Sequence, residues 1–119
     1  MNSLNKAFRI SESDIEQLIA PMGGCMASDR ILIDRAPVGF MYREAPTDSV
    51  SSGWTFLAGD EDQDYLDDPN HLAIYEVNTI CNYDPSIIPY LHSELNSAFG
   101  KDLGAKEFQR EPMPTEPTE

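Results

Sequence analysis

Trp54-Thr55-Phe56-Leu57-Ala58-Gly59-Asp60-Glu61-Asp62-Gln63-Asp64-Tyr65-Leu66-Asp67-Asp68-Pro69-Asn70-His71-Leu72-Ala73-Ile74-Tyr75-Glu76-Val77 decides the fold. It opens with a β-type run in which Trp54, Phe56 and Ala58 share one side, because side chains alternate across a strand. It closes with a second such run, Leu72 to Val77. Between them Tyr65 and Leu66 are the only bulky apolar residues of an acidic segment, and they suit one face of a short helix ending at Pro69-Asn70.

Outward from this core, Cys25 to Ile33 and Val38 to Arg43 form two more β-type runs around the turn-rich Asp34-Arg35-Ala36-Pro37, and the expectation is a hairpin. Thr47 to Gly53 reads as a small-polar loop. Upstream, Ser13 and Glu16 have capping-box spacing, and Ile15, Leu18 and Ile19 follow at helical intervals until Pro21, so a helix is expected over residues 12–20. Downstream, Asp84-Pro85 reads as a helix N-cap followed by Pro at the first helical position, with Pro89 limiting the helix that carries Ile87, Ile88 and Leu91. Ala98-Phe99 and Lys106 to Gln109 are expected to complete the sheet. This order predicts a small single α+β domain, residues 1–110, with a mainly antiparallel sheet, an N-terminal helix and short helices between strands. Trp54, Phe56, Ile74 and Ile88 are the expected core. Glu111 to Glu119 holds three Pro, three Glu, two Thr and one Met. Such a segment buries too little apolar surface to offset its ordering entropy, and a disordered tail is expected.

Charge is distributed unevenly. From Glu44 to Gly100 there is no Lys or Arg but there are eleven carboxylates, and the whole chain carries −13. Six of these, Asp60, Glu61, Asp62, Asp64, Asp67 and Asp68, are the candidate partner-binding residues. A surface this acidic repels phosphate backbones and anionic membranes and attracts cationic proteins, so nucleic acid and membrane are excluded as partners. No secretory signal or membrane-length apolar run is evident, and the two cysteines show no metal-type clustering; a cytoplasmic protein is expected.

Other patterns are weaker on their own terms. Asp60, Asp62 and Asp64 share the 1-3-5 spacing of a calcium loop, but Tyr65 and His71 stand where that loop requires Gly and a bidentate acid, so no metal is assigned. Cys25 and Cys81 with His71 and His92 could form a thiol–imidazole pair, yet surrounding carboxylates oppose a lowered thiol pKa, and Cys81 reads as a small buried residue. No catalytic residue and no cofactor is assigned. Asp29-Arg30 and Arg43-Glu44 fall at the ends of the expected hairpin strands and suit cross-strand pairing. Asn78, Asn82 and Asp84 suit the capping of turns and of the following helix.

Four blocks in order carry a family resemblance: Cys25-Met26-Ala27-Ser28-Asp29-Arg30; Val38-Gly39-Phe40-Met41-Tyr42-Arg43-Glu44; Ser52-Gly53-Trp54-Thr55-Phe56-Leu57-Ala58-Gly59-Asp60-Glu61-Asp62; and Ile74-Tyr75-Glu76-Val77-Asn78-Thr79-Ile80-Cys81-Asn82-Tyr83-Asp84-Pro85. Over residues 22–100 the chain resembles the bacterial immunity protein thirty-three family, whose members are associated with polymorphic toxin systems. The resemblance implies a cytoplasmic, non-enzymatic protein that binds and neutralises a cognate toxin domain, expected here to be basic. The alternative is an interaction or ligand-binding module of the same fold with no toxin partner.

Overall fold

The computed structural model describes residues 8–46, 48–102 and 104–114. Six strands, β1 (Gly24–Ser28), β2 (Phe40–Arg43), β3 (Ser51–Leu57), β4 (Leu72–Glu76), β5 (Ser97–Gly100) and β6 (Gln109–Glu111), form one sheet in the order β4-β1-β3-β2-β5-β6. β1 and β3 run parallel and the other four pairings are antiparallel. Three short helices accompany them: α1 (Asp29–Leu32), α2 (Gln63–Asp67) and α3 (Val77–Tyr83). The α+β class is as expected.

The Cys25–Ile33 run is not one strand. Ser28 stops β1 by accepting a hydrogen bond from the Arg30 amide at 3.0 Å, an N-cap that turns the chain into α1. Helix α1 buries Ile31 and Leu32, so the alternation of apolar residues there reports two elements rather than one. The expected β1–β2 hairpin is therefore absent. β3 lies between them instead, pairing Met26 with Thr55 on one side and Thr55 with Tyr42 on the other. The true hairpin is β2–β3, and β3 begins at Ser51, inside the expected loop. Gly53 makes this possible: its φ is +87°, and a Cβ there would sit 2.0 Å from the Glu44 carbonyl oxygen.

The N-terminal helix does not form either. Only Glu12–Asp14 makes a single 3-10 turn, and residues 15–22 cross α3 as an extended strap. Asn78 accepts from the Leu18 and Ile19 amides at 2.7 and 3.2 Å and donates to the Glu16 carbonyl at 2.8 Å. One turn along α3, Asn82 accepts from the Glu16 amide at 2.9 Å and donates to the Glu16 carbonyl at 2.9 Å. A helix of two turns is marginal in water, whereas two side-chain amides offer the strap the hydrogen bonds of a neighbouring strand. Asn78 and Asn82 thus hold the strap rather than cap turns.

One face of the sheet is the core. Cys25, Ala27, Met41, Trp54, Phe56 and Phe99 project from it into Ile31, Leu32, Val77, Ile80, Cys81 and Ile87. The Trp54 ring stacks on Phe56 at 5.6 Å between centroids, and its indole N–H donates to the Leu91 carbonyl at 3.0 Å. Ile88 packs at the margin of this cluster. Arg43 lies over Trp54 and donates to the Ser52, Leu91 and Ser93 carbonyls, so it serves backbone acceptors rather than a cross-strand carboxylate. Asp84 closes the far side. Its carboxylate accepts from the Val38 amide (2.8 Å), the Ser86 amide (3.1 Å) and the Ser86 hydroxyl (2.6 Å), with Lys101 Nζ at 4.0 Å. As expected, it caps the helical segment Pro85–Tyr90, which is 3-10 throughout.

The opposite face holds the main surprise. Ile74, expected in the core, is 75% exposed. In β4 the residues Leu72 to Tyr75 are apolar without interruption, so alternation could not say which pair faces inward; the register places Ala73 and Tyr75 on the side of Ala27 and Cys25. Ile74 pairs with Met26 on the other side. β6 starts at Gln109, later than expected, with Phe108 buried just before it. Glu111, the first residue of the expected tail, ends β6, while residues 115–119 lie outside the described part.

These positions separate in stability. Trp54→Ala should cost on the order of 3–5 kcal/mol, and Asp84→Ala on the order of 3 kcal/mol by leaving Lys101 without its carboxylate. Ile74→Ala should change stability by less than about 0.5 kcal/mol. Urea denaturation of the three variants measures the contrast; a large loss for Ile74→Ala would contradict the register.

Candidate partner-binding surface

The acidic segment leaves the C-terminal end of β3 and returns as β4, and three of its six carboxylates, Glu61, Asp62 and Asp68, hold backbone amides. Glu61 bends back on the strand end, accepting from the Ala58 and Gly59 amides at 2.8 and 2.9 Å. Asp62 N-caps α2 through the Tyr65 amide at 2.8 Å. Asp68 caps the 3-10 turn Pro69–His71 through the Asn70 amide at 2.9 Å. Asp67 accepts from the Gln63 side-chain amide at 2.8 Å. Asp64 has no polar partner among the described residues and is exposed. Helix α2 is kept on the sheet by Tyr65, whose ring stacks on His71 at 3.8 Å and whose hydroxyl lies near Ser28. Burial, and secondarily the charges of Asp29, Asp34 and Glu61, push the Tyr65 phenol up in pKa.

Asp60 differs from the rest. It forms a two-pronged pair with Arg30, which also reaches Asp34 at 3.1 Å. The guanidinium holds the Asp60 carboxyl below the usual carboxylate range. The Asp29-Arg30 dipeptide therefore sends its cation to the acidic loop and not across a hairpin. Both partners are largely in water, where such a pair contributes little stability. The pair forms one wall of a cleft of about 640 Å³ at this end of the sheet. Phe40 and the strand ends line it, with Asp102, Lys101 and Glu111 opposite. Gly39 keeps it open and keeps the strands close: a Cβ there would lie 2.1 Å from the Ala58 carbonyl oxygen.

The six carboxylates are thus not one equivalent set. Asp60, Glu61, Asp62 and Asp68 are committed to Arg30 or to backbone amides, and Asp64 and Asp67 carry the charge least used by the fold. Sequence reasoning missed Arg30, whose contact with Asp60 spans 30 residues. It also missed Asp102, in the loop after β5, and Glu111, on β6, which both reach the cleft. Nothing local in the sequence marks such meetings.

No group of three or more His, Cys, Asp or Glu side chains among the described residues has metal-site geometry. Cys25 and Cys81 are both free and buried. Burial pushes the Cys25 thiol up, and the Cys81 thiol up to about 11. Both should therefore stay protonated and inert towards a thiol reagent at neutral pH in the native protein, and both should react in denaturant; a rapidly titrating native thiol would reopen cysteine chemistry.

The sequence profile described as immunity protein Imm33 domain matches residues 25–111. No curated protein and no solved structure matches the chain. The matched span runs from β1 to the end of β6, taking in five whole strands, nearly all of β1, the acidic segment and the cleft, and leaving out the strap. With 25–111 of 119 residues matched, the chain belongs to the Imm33 immunity protein family.

Proposed function

We propose that this protein neutralises a cognate bacterial toxin by binding it stoichiometrically, acting in the cytoplasm as a binder and not as a catalyst. The observation that carries this reading is the family match over residues 25–111. The charge distribution supports a basic toxin domain as partner: residues 44–100 hold eleven carboxylates and no Lys or Arg, so a cationic surface is attracted before contact. Within the candidate set Asp60, Glu61, Asp62, Asp64, Asp67 and Asp68, the fold divides the labour. The caps and the Arg30 pair hold the loop in shape. Asp64 and Asp67 supply field to the encounter. Blocking the toxin's active site by occupying it completes the mechanism, and a polymorphic toxin system is the setting the family suggests. The cleft beside Phe40 favours the second reading, a ligand-binding module without a toxin partner.

Co-expression with the C-terminal domain of a toxin encoded beside this gene tests the first reading by rescue of growth and co-purification. For the acidic segment, an Asp64→Asn, Asp67→Asn variant removes charge while leaving the caps intact. Its association rate with that toxin domain should fall several-fold at low salt, and the difference should shrink as ionic strength rises past the screening range. Unchanged association at low salt would remove these residues from the encounter.

A further inference from the structure

Among the described residues the core helices pack on the face of Trp54 and Phe56, and α2 reaches just one corner of the other face, where Tyr65 meets Ser28. Across that other face the register aligns Ile74, Met26, Thr55, Tyr42 and Ala98 in a single row, one from each of five strands; Ile74 is exposed, Met26 and Tyr42 are half-buried, and the smaller Thr55 and Ala98 are buried in the row. Phe40 and Tyr42 sit side by side on β2 with ring centroids 5.8 Å apart. At the β4 end Ile74 is 75% and Val50 72% exposed, and the two flank a shallow depression of about 200 Å³ that also includes Asp48. At the β2 end the face runs into the cleft beside Phe40. Apolar side chains this exposed, on adjoining elements of one face, are a surface that association would bury.

The charges identify the occupant. The strand arginines lie on the covered side: Arg43 over Trp54 and Arg110 over Phe99. The open face ends in Glu76 level with Gly24 on β4 and Glu111 level with Ala98 on β6, with Asp48 beside Val50, and in the cleft at its β2 end Arg30 and Lys101 are outnumbered by Asp60, Asp102 and Glu111. A second copy of this chain would bring a charge of −13 against its own like. Residues 115–119 contain two Glu and no Leu, Ile, Val, Met or aromatic residue, and so do not complement an apolar face. An apolar centre with an acidic border complements a protein surface of opposite pattern.

We propose that the open face of the sheet, from Ile74 and Val50 to Phe40, is the docking surface for a basic protein domain that presents apolar side chains bordered by Lys and Arg. This rests on the toxin-neutralising reading and moves the centre of contact from the acidic segment to the sheet. The carboxylates then act at the border, and the apolar row at the centre excludes water.

The test uses the full chain and the toxin domain of the co-expression experiment. Ile74→Lys and Val50→Lys should each weaken its binding by about 30-fold or more, the scale of a central contact. Leu18→Lys, on the strap across α3, makes the same change of net charge on the covered side and should change binding by less than about 3-fold. Melting temperatures within experimental error of the parent exclude misfolding as the cause. Hydroxyl-radical footprinting of the unmutated complex should protect Met26, Phe40 and Tyr42. Ile74→Lys and Val50→Lys binding like the parent, or no protection at those three residues, would overturn the surface while the toxin reading stands. No binding by the parent chain would overturn both.

Discussion

The carboxylate of Asp84 is the point on which the fold turns. It is 8% exposed, and it accepts from the Val38 amide, 46 residues back and just before β2, and from the Ser86 amide at the start of the helical segment after α3. Lys101, at the end of β5, stands beside it and donates to the Ser86 hydroxyl at 3.1 Å. Three chain segments that never meet in sequence are thereby joined at one charge. A buried carboxylate is costly unless its lone pairs are used and a cation is near, and here both conditions are met. The constraint also aims the chain. With Val38 fixed, β2 begins where it can pair with both β3 and β5, and the helical segment is laid over Trp54 so that the Leu91 carbonyl can take the indole proton.

That arrangement makes the domain one-sided. Among the described residues α1, α3 and the segment after α3 are spent on one face of the sheet, and the small α2 is left for the other. The acidic segment adds a field but not, for the most part, free ligands: four of its six carboxylates are held by local amides or by Arg30. Shape and field are thus supplied by different residues.

Much of the fold was legible residue by residue. Trp54-Thr55-Phe56-Leu57 showed a strand because bulky residues alternate there, and Asp84-Pro85 announced a capped helical segment, because both signals arise within a few residues of chain. The misreadings share a cause. At Cys25 to Ile33 the apolar alternation continued through Ser28, although Ser28-Asp29 is itself a helix-start signal. At residues 12–20 the capping pattern of Ser13 and Glu16 lost to the Asn78 and Asn82 amides, tertiary competitors 60 and 66 residues away. In β4 the uninterrupted apolar run concealed which side was inward, and Ile74 was placed in the core that Tyr75 in fact approaches.

The sequence by itself determined the class of molecule: an α+β domain anchored by Trp54 and Phe56, an acidic middle without a single Lys or Arg, and an ordered set of blocks that place it in the immunity family. These are properties of composition, short-range periodicity and local motif, which the chain carries whether folded or not. The tertiary structure alone decided that β3 separates β1 from β2, that Arg30 is spent on Asp60, and that Ile74 looks outward beside Met26. Each depends on strand order and register, set by the total burial and hydrogen bonding of the whole domain, and a one-residue change of register would have turned the apolar row to the other side.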